Sequence, residues 1–226
     1  MQKIQEILPL YFVAGTQDCR HLGENKAQNL LSVLKQALEG GITCFQFRDK
    51  GKFSLEHSPE EQKALAIACR DMCREYGVPF IVNDNVDLAF ELEADGVHVG
   101  QTDMAVEVIR AKAKKEMIVG WSVTTLEEGK IGEAMTEIDY FGIGPIFPTK
   151  SKENAKPARG MAFVQELRNA GITKPFVAIG GITLEHVCTL RAFGADGIAI
   201  VSAISQAENV EMMTKVLREA SLGKNS

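Results

Sequence analysis

Two hydrophobic periods alternate along the chain. Short apolar, often β-branched runs read as strands, and between them apolar positions recur three and four residues apart, the spacing of one helix face. Residues 8–13 predict a strand. Residues 27–38 then place Leu30, Leu31, Leu34 and Leu38 at helical spacing before Gly40 and Gly41 stop the helix. Residues 42–48 predict a second strand. Pro59 opens a helix with Glu60 and Glu61 in its first turn, where the helix dipole favours acids, and Gly77 closes it just after Tyr76. Residues 79–82, 96–99, 117–119, 140–143, 176–179 and 197–200 bring the strands to eight. Helix-compatible stretches lie between them, among them 103–114, 161–170 and 184–192, with the shortest at 86–92. Repeated strand–helix units call for parallel strands joined by right-handed crossovers. The prediction is an α/β fold, a single (β/α)8 TIM barrel over residues 1–226. The alternative is an open doubly wound sheet. No Gly-x-Gly-x-x-Gly turn follows the first strand, which argues against its dinucleotide-binding form.

Composition narrows the partners. The formal net charge of −5 argues against a nucleic-acid binder, which would show a basic face, but leaves room for a small anionic substrate held by a few placed cations. Five scattered cysteines do not suit a disulfide framework and fit a reducing cytosol. Cys69 and Cys73 lie one helical turn apart; without a nearby Cys or His to complete a metal site, they read as helix-packing residues. Residues 1–9 lack signal-peptide architecture, and no apolar run is long enough to span a bilayer. The expectation is a cytoplasmic protein with no membrane and no nucleic-acid partner.

In such a barrel the chemistry gathers where strands end and loops lead to helices. The third strand ends in Asn83-Asp84, and the fourth leads through Gln101 to Asp103. On neighbouring parallel strands, about 4.8 Å apart, these two carboxylates would open onto one sheet edge and could share a hard cation. Asp103 has a competing reading as the cap of the next helix. In the second strand, alternation turns Phe45 and Phe47 toward the helices and Gln46 and Arg48 into the barrel mouth. An inward Arg is costly unless it meets an anion, which is either a ligand or a neighbouring carboxylate such as Asp49. Gly120-Trp121-Ser122 end the fifth strand, and a loop dense in hydroxyls and cations, Thr149-Lys150-Ser151-Lys152, follows the sixth. Gly180-Gly181 and Val201-Ser202 end the seventh and eighth, where such barrels hold a phosphate on backbone N–H groups. His98 reads as a satisfied core histidine, His57 and His186 as surface, and Trp121 as barrel-core filling rather than a ligand-stacking ring. Lys112, Lys114 and Lys115 read as a solvated face.

These segments together resemble the thiamine-phosphate synthase family. The resemblance rests on Gln46-Phe47-Arg48-Asp49-Lys50-Gly51, Val82-Asn83-Asp84, residues 96–103, residues 142–149, residues 178–182 and Val201-Ser202-Ala203-Ile204, in the family's order along nearly the whole chain. It implies a barrel that joins a pyrimidine diphosphate to a thiazole phosphate. It further implies that Asp84 and Asp103 bind Mg²⁺. Gln46, Phe47, Arg48, Asp49, Lys50, Asn83, Ser122 and Lys152 would serve the pyrimidine diphosphate, with Arg48, Lys50, Lys152 and Ser122 closest to the chemistry. Thr149, Lys150, Ser151, Gly181, Val201 and Ser202 would hold the thiazole phosphate. Ser151 stands where the family often has Thr, and the hydroxyl survives. Asn85 follows Asp84 where a second acid is frequent. A homodimer is compatible with this reading.

Two rivals follow from the same residues. A thiazole tautomerase-like barrel would bind only the thiazole phosphate and would need no complete diphosphate and metal set. A non-catalytic phosphate-sensing barrel would have no use for the Asp84/Asp103 pair.

Overall fold

The computed structural model describes residues 4–113, 116–151 and 156–223. A one-turn helix α1 (Ile4–Ile7) precedes β1 (Leu10–Ala14), α2 (Lys26–Gly40), β2 (Cys44–Phe47), α3 (Pro59–Glu75), β3 (Phe80–Asn83), α4 (Val86–Glu91), β4 (Gly96–Val99) and α5 (Val106–Lys112). There follow β5 (Ile118–Val123), α6 (Leu126–Glu133), β6 (Tyr140–Ile143), α7 (Ala162–Asn169), β7 (Phe176–Ile179), α8 (Leu184–Ala192), β8 (Gly197–Ile200), α9 (Ser202–Ser205) and α10 (Val210–Ser221). The strands pair in chain order, all in parallel, and β8 pairs back onto β1, so the sheet closes into the expected (β/α)8 barrel.

Strand alternation divides the apolar residues into two populations. Tyr11, Val13, Cys44, Ile81, Ile118, Tyr140, Val177 and Ala199 fill the barrel, with Ile7 and Leu8 packed among them from the chain's entry to β1. Phe12, Phe45, Phe47, Phe80, Val97, Val119, Phe141, Phe176 and Ile198 face outward into a continuous layer under the helices, which includes Cys69 and Cys73 as helix-packing residues. Period-two alternation thus separates a wide apolar interlayer from a narrow inner core.

Three expectations are corrected. The first strand begins at Leu10 rather than residue 8: Pro9 has no N–H for the ladder, and Leu8 turns into the inner core. The fifth strand runs on to Val123, and its parity carries Trp121 outward, 6.4 Å from Phe141 between ring centres, rather than into the barrel core. The helix after the fourth strand starts at Val106 with Ala105 at its cap, so Asp103 does not cap it.

The N-terminal ends of the strands are closed by a repeated device. The residue just before each even-numbered strand accepts an N–H near the start of the preceding odd-numbered one. Leu10 donates to Thr43 Oγ1 at 2.9 Å, Phe80 to Asp95 Oδ2 at 2.9 Å, Val119 to Asp139 Oδ2 at 2.7 Å and Phe176 to Asp196 Oδ2 at 2.8 Å. Arg110 of α5 meets Asp139 and Arg168 of α7 meets Asp196, each at 2.6 Å. Arg168 also donates to the carbonyls of Gly194, Ile172 and Lys174 and lies 3.8 Å over the Phe176 ring. Backbone donors that the first strand turn would otherwise leave unpaired are thereby satisfied.

Candidate active site

At the opposite end, the loop after β2 is pinned by Asp49. Its buried carboxylate accepts from Thr16 N at 2.8 Å, Thr16 Oγ1 at 2.6 Å, Leu55 N at 3.0 Å and Gln62 Nε2 at 3.0 Å. Among the described residues Asp49 makes no ion pair with Arg48; it staples the loops after β1 and β2 and holds the residues on either side of it. Arg48 reaches across the mouth instead, where Nη1 donates to the Ser151 carbonyl at 3.3 Å. Phe47 stays in the outer apolar layer. Of the segment 46–50, the side chains of Gln46, Arg48 and Lys50 therefore turn toward the mouth, while Phe47 and Asp49 build the frame.

Asp84, just after β3, has a left-handed backbone conformation, φ 58°. Among non-glycine residues Asp and Asn adopt it most readily, and such strain gathers at functional sites. Its N–H remains in the ladder, donating to His98 O at 2.9 Å. The neighbouring Asn85 caps α4 by accepting from Leu88 N at 3.0 Å, which gives that position a helix-starting task distinct from the acid before it. Asp103 accepts from Gly100 N at 2.7 Å, so its carboxylate is fixed within its own loop. The Asp84 and Asp103 carboxyl groups lie near enough to perturb each other, and Lys50 Nζ sits 2.7 Å from Asp84 Oδ2.

The charges answer this crowding. Burial works to raise the Asp84 carboxyl, but the Lys50 ammonium outweighs it and holds the group below the usual carboxylate range. Burial, and then the Asp84 charge, push Asp103 up despite the Gly100 N–H. The hydrogen bond to Asp84 raises Lys50 and keeps it charged. Two neighbouring carboxylates beside a single lysine carry net negative charge when both are ionised, which suits a cation. Among the described residues no group of three or more His, Cys, Asp or Glu gathers to cage a metal. Two carboxylates are the protein ligand count that suits Mg²⁺, which completes its octahedron with water and substrate phosphates.

Deeper in the mouth, Ser122 of β5 lies 3.0 Å from His98 Nε2, and His98 Nδ1 lies 3.1 Å from Tyr140 Oη. Tyr140 Oη contacts Tyr11 Oη at 2.7 Å, and Gln46 Nε2 donates to Tyr11 Oη at 2.9 Å. Asn83 is level with His98 in the β3–β4 register. His98 is thus a satisfied interior histidine. Sequence reasoning did not assign Tyr11 and Tyr140; the signal for them was polar-tipped side chains on the inward parity of otherwise apolar strands.

The second half of the site comes from the last loops. Ser151 N donates to Thr149 Oγ1 at 3.2 Å, closing a turn around Lys150. Phe147 N donates to Gly180 O at 3.0 Å, and the Phe147 ring stacks on His186 at 4.0 Å, which leaves that histidine less exposed than expected. Gly181 has φ 60°, and a Cβ there would stand 2.6 Å from Pro148 O, so only glycine lets the loops after β6 and β7 close together. Val201 and Ser202 follow the adjacent strand β8, with Ser202 opening α9. Lys152 lies outside the described residues, as do Lys114 and Lys115. The structure therefore brings Gln46, Arg48, Lys50, Asn83, Asp84, Asp103 and Ser122 to one mouth, with Arg48 bridging to the 149–151 loop.

Comparison with known proteins decides between the readings. The family model described as thiamine monophosphate synthase matches residues 10–204. The chain belongs to that family. A thiamine-phosphate synthase of Haemophilus influenzae is 75% identical over 221 residues, covering 98% of each chain. One from Actinobacillus pleuropneumoniae is 57% identical over 217 residues, 96% of this chain and all of that one. Among solved structures, thiamine phosphate pyrophosphorylase from Pyrococcus furiosus superposes with a TM-score of 0.81 at 32% identity, covering 99% of this chain and 100% of that one. The tautomerase-like and phosphate-sensing alternatives are not favoured. No helix among the described residues is long and apolar enough to cross a membrane.

Proposed function

We propose that the chain condenses 4-amino-5-hydroxymethyl-2-methylpyrimidine diphosphate with 4-methyl-5-(2-hydroxyethyl)thiazole phosphate, giving thiamine phosphate and pyrophosphate. It is a transferase of thiamine biosynthesis and acts on small molecules. The observation that carries the reading is the Arg48–Ser151 contact, which joins a cation-seeking acid pair and its lysine to the hydroxyl-rich loop across one barrel mouth. Gln46, Arg48, Lys50, Asn83 and Lys152 hold the pyrimidine diphosphate, and Ser122 approaches the pyrimidine. Thr149, Lys150, Ser151, Gly181, Val201 and Ser202 hold the thiazole phosphate.

Asp84 and Asp103 would hold Mg²⁺, which when bound offsets the charge that develops on the departing pyrophosphate. Arg48, Lys50 and Lys152 add fixed positive charge to the same leaving group. An electron-rich aminopyrimidine stabilises a benzylic-type cation, which favours dissociative departure. The thiazole nitrogen already carries its lone pair, so no residue has to act as a general base. The protein's part is then orientation and electrostatics. The same reading takes residues 1–226 as one barrel domain acting in the cytoplasm, and a homodimer is compatible with it.

Incubating purified protein with both substrates and Mg²⁺ should yield stoichiometric thiamine phosphate and pyrophosphate, and EDTA should stop both. Arg48→Ala should slow turnover by about 10²–10³-fold, the scale for losing one preorganised electrostatic contact. If pyrophosphate fails to appear in the complete mixture, the reading is wrong.

A further inference from the structure

The polar groups inside the barrel form one hydrogen-bonded chain, Gln46–Tyr11–Tyr140–His98–Ser122, that crosses from β2 to β5. Its two ends are the side chains assigned above to the pyrimidine, whereas its three middle members have no assigned role. The direction of the chain follows from its donors. The Gln46 amide nitrogen can only donate, so Tyr11 Oη accepts from it. Tyr11 then gives its single proton to Tyr140 Oη, because its other neighbour, the Cys44 thiol, is a weak acceptor whose own S–H faces Pro79 O. Tyr140 in turn donates to His98 Nδ1. An imidazole that accepts at Nδ1 is neutral and carries its proton on Nε2, which faces Ser122 Oγ at 3.0 Å. Ser122 Oγ therefore accepts from within the protein, and its own O–H is left to point elsewhere. Burial pushes the Tyr11 and Tyr140 hydroxyls well above their ordinary values, so they remain neutral links.

The geometry points to His98, Tyr140 and Tyr11 as positioning residues that fix the His98 Nε2–H tautomer and so make Ser122 a hydrogen-bond donor to the bound pyrimidine. Glycines frame this arrangement. A Cβ at Gly120 would collide with both the Tyr140 ring and His98 Nδ1, and one at Gly142 would stand 2.9 Å from His98 Cε1. The strands beside His98 and Tyr140 thus leave room for the two rings and little else. The inference rests on the proposed role of Ser122, and the two can be tested apart.

The relay is tested without substrate by ¹⁵N NMR of histidine-labelled protein, with the His98 signals assigned by their loss in His98→Gln. The wild-type ring should show a pyrrole-like Nε2 and a pyridine-like Nδ1; the opposite tautomer overturns the relay. Gln46→Glu replaces the amide donor with an acceptor and should reverse the chain, moving the proton to Nδ1. Tyr140→Phe should abolish the single tautomer and lower kcat/KM for the pyrimidine diphosphate about 10–100-fold, the usual scale for losing a residue that orients another. The KM for the thiazole phosphate should stay unchanged. His98→Gln, whose amide can still donate to Ser122, should retain more activity than His98→Asn, whose shorter amide cannot reach it; equal losses count against the relay. Full activity in Ser122→Ala with the wild-type tautomer intact would instead reject the assigned role of Ser122 and leave the relay standing.

Discussion

At the N-terminal end of the barrel Asp139 accepts the Val119 N–H at 2.7 Å and meets Arg110 at 2.6 Å. At the C-terminal end Asp84 meets a lysine that is more than half exposed and a second carboxyl group. Aspartate precedes a strand in the first case and follows one in the second. Before a strand, the carboxylate lies beside backbone donors of the neighbouring strand, and an arginine held by several carbonyls completes its neutralisation. After a strand, the backbone turns away, and two carboxylates on adjacent strands are left facing each other. The first arrangement is satisfied by the fold. The second is satisfied only in part, and a ligand can complete it.

The largest effect expected from breaking this contrast is on turnover. Asp84→Asn keeps the shape of the side chain and tolerates the left-handed backbone at φ 58°. It should lower kcat by about 10³-fold, on the order of 4 kcal/mol, through loss of charge toward the cation. Thermal stability should change little, since the like charge beside Asp103 is removed as the partly exposed Lys50 ion pair is lost. Steady-state kinetics beside a thermal melt make the check; a substantial fall in Tm would move Asp84 into the structural class.

Much of this division could be read from the chain. The eight strands, their order and the acid pair at the ends of the third and fourth strands all follow from periodicity and from where polar residues interrupt apolar runs. The exceptions have physical causes. Trp121, expected to fill the barrel core, faces outward because it shares the parity of Val119 and Val123 on a fifth strand that runs to Val123. Asp49 sits within the matching motif, yet its position between Arg48 and Lys50 gives no hint that Thr16, thirty-three residues away, would occupy its carboxylate. The Tyr11–Tyr140 contact joins β1 to β6 across the barrel, and no local pattern encodes a contact between strands that do not pair.

The next effect in size is on stability. Asp196→Ala leaves the Phe176 N–H without its acceptor and Arg168 without its carboxylate, in partly buried surroundings. The expected loss is about 2–4 kcal/mol, less than for a fully buried pair because both side chains keep some solvent contact. For a chain of this length that corresponds to a fall in Tm of roughly 5–15 °C. The kcat of the folded fraction should be unchanged. A stable but inactive Asp196→Ala protein would erase the distinction between the two ends.

The smallest effect concerns Asp18, in the loop after β1 at the C-terminal end. Its carboxylate accepts from Gly15 N at 3.0 Å and from Gln17 Nε2 at 2.7 Å. Burial nonetheless outweighs these donors and the nearby Arg48, and raises the group from its ordinary 3.8 to about 6. The native state therefore binds more protons than the unfolded chain between pH 4 and 6, and stability falls as pH rises through that window. The cost, complete above about pH 6, is on the order of 2–3 kcal/mol. Asp18→Asn keeps an acceptor for both donors and removes the titration. Urea midpoints measured from pH 4 to 8 should show wild type and variant alike at the acid end, with the variant more stable above pH 6. Parallel pH profiles for wild type and Asp18→Asn would show that the loops at the mouth do not bear that cost.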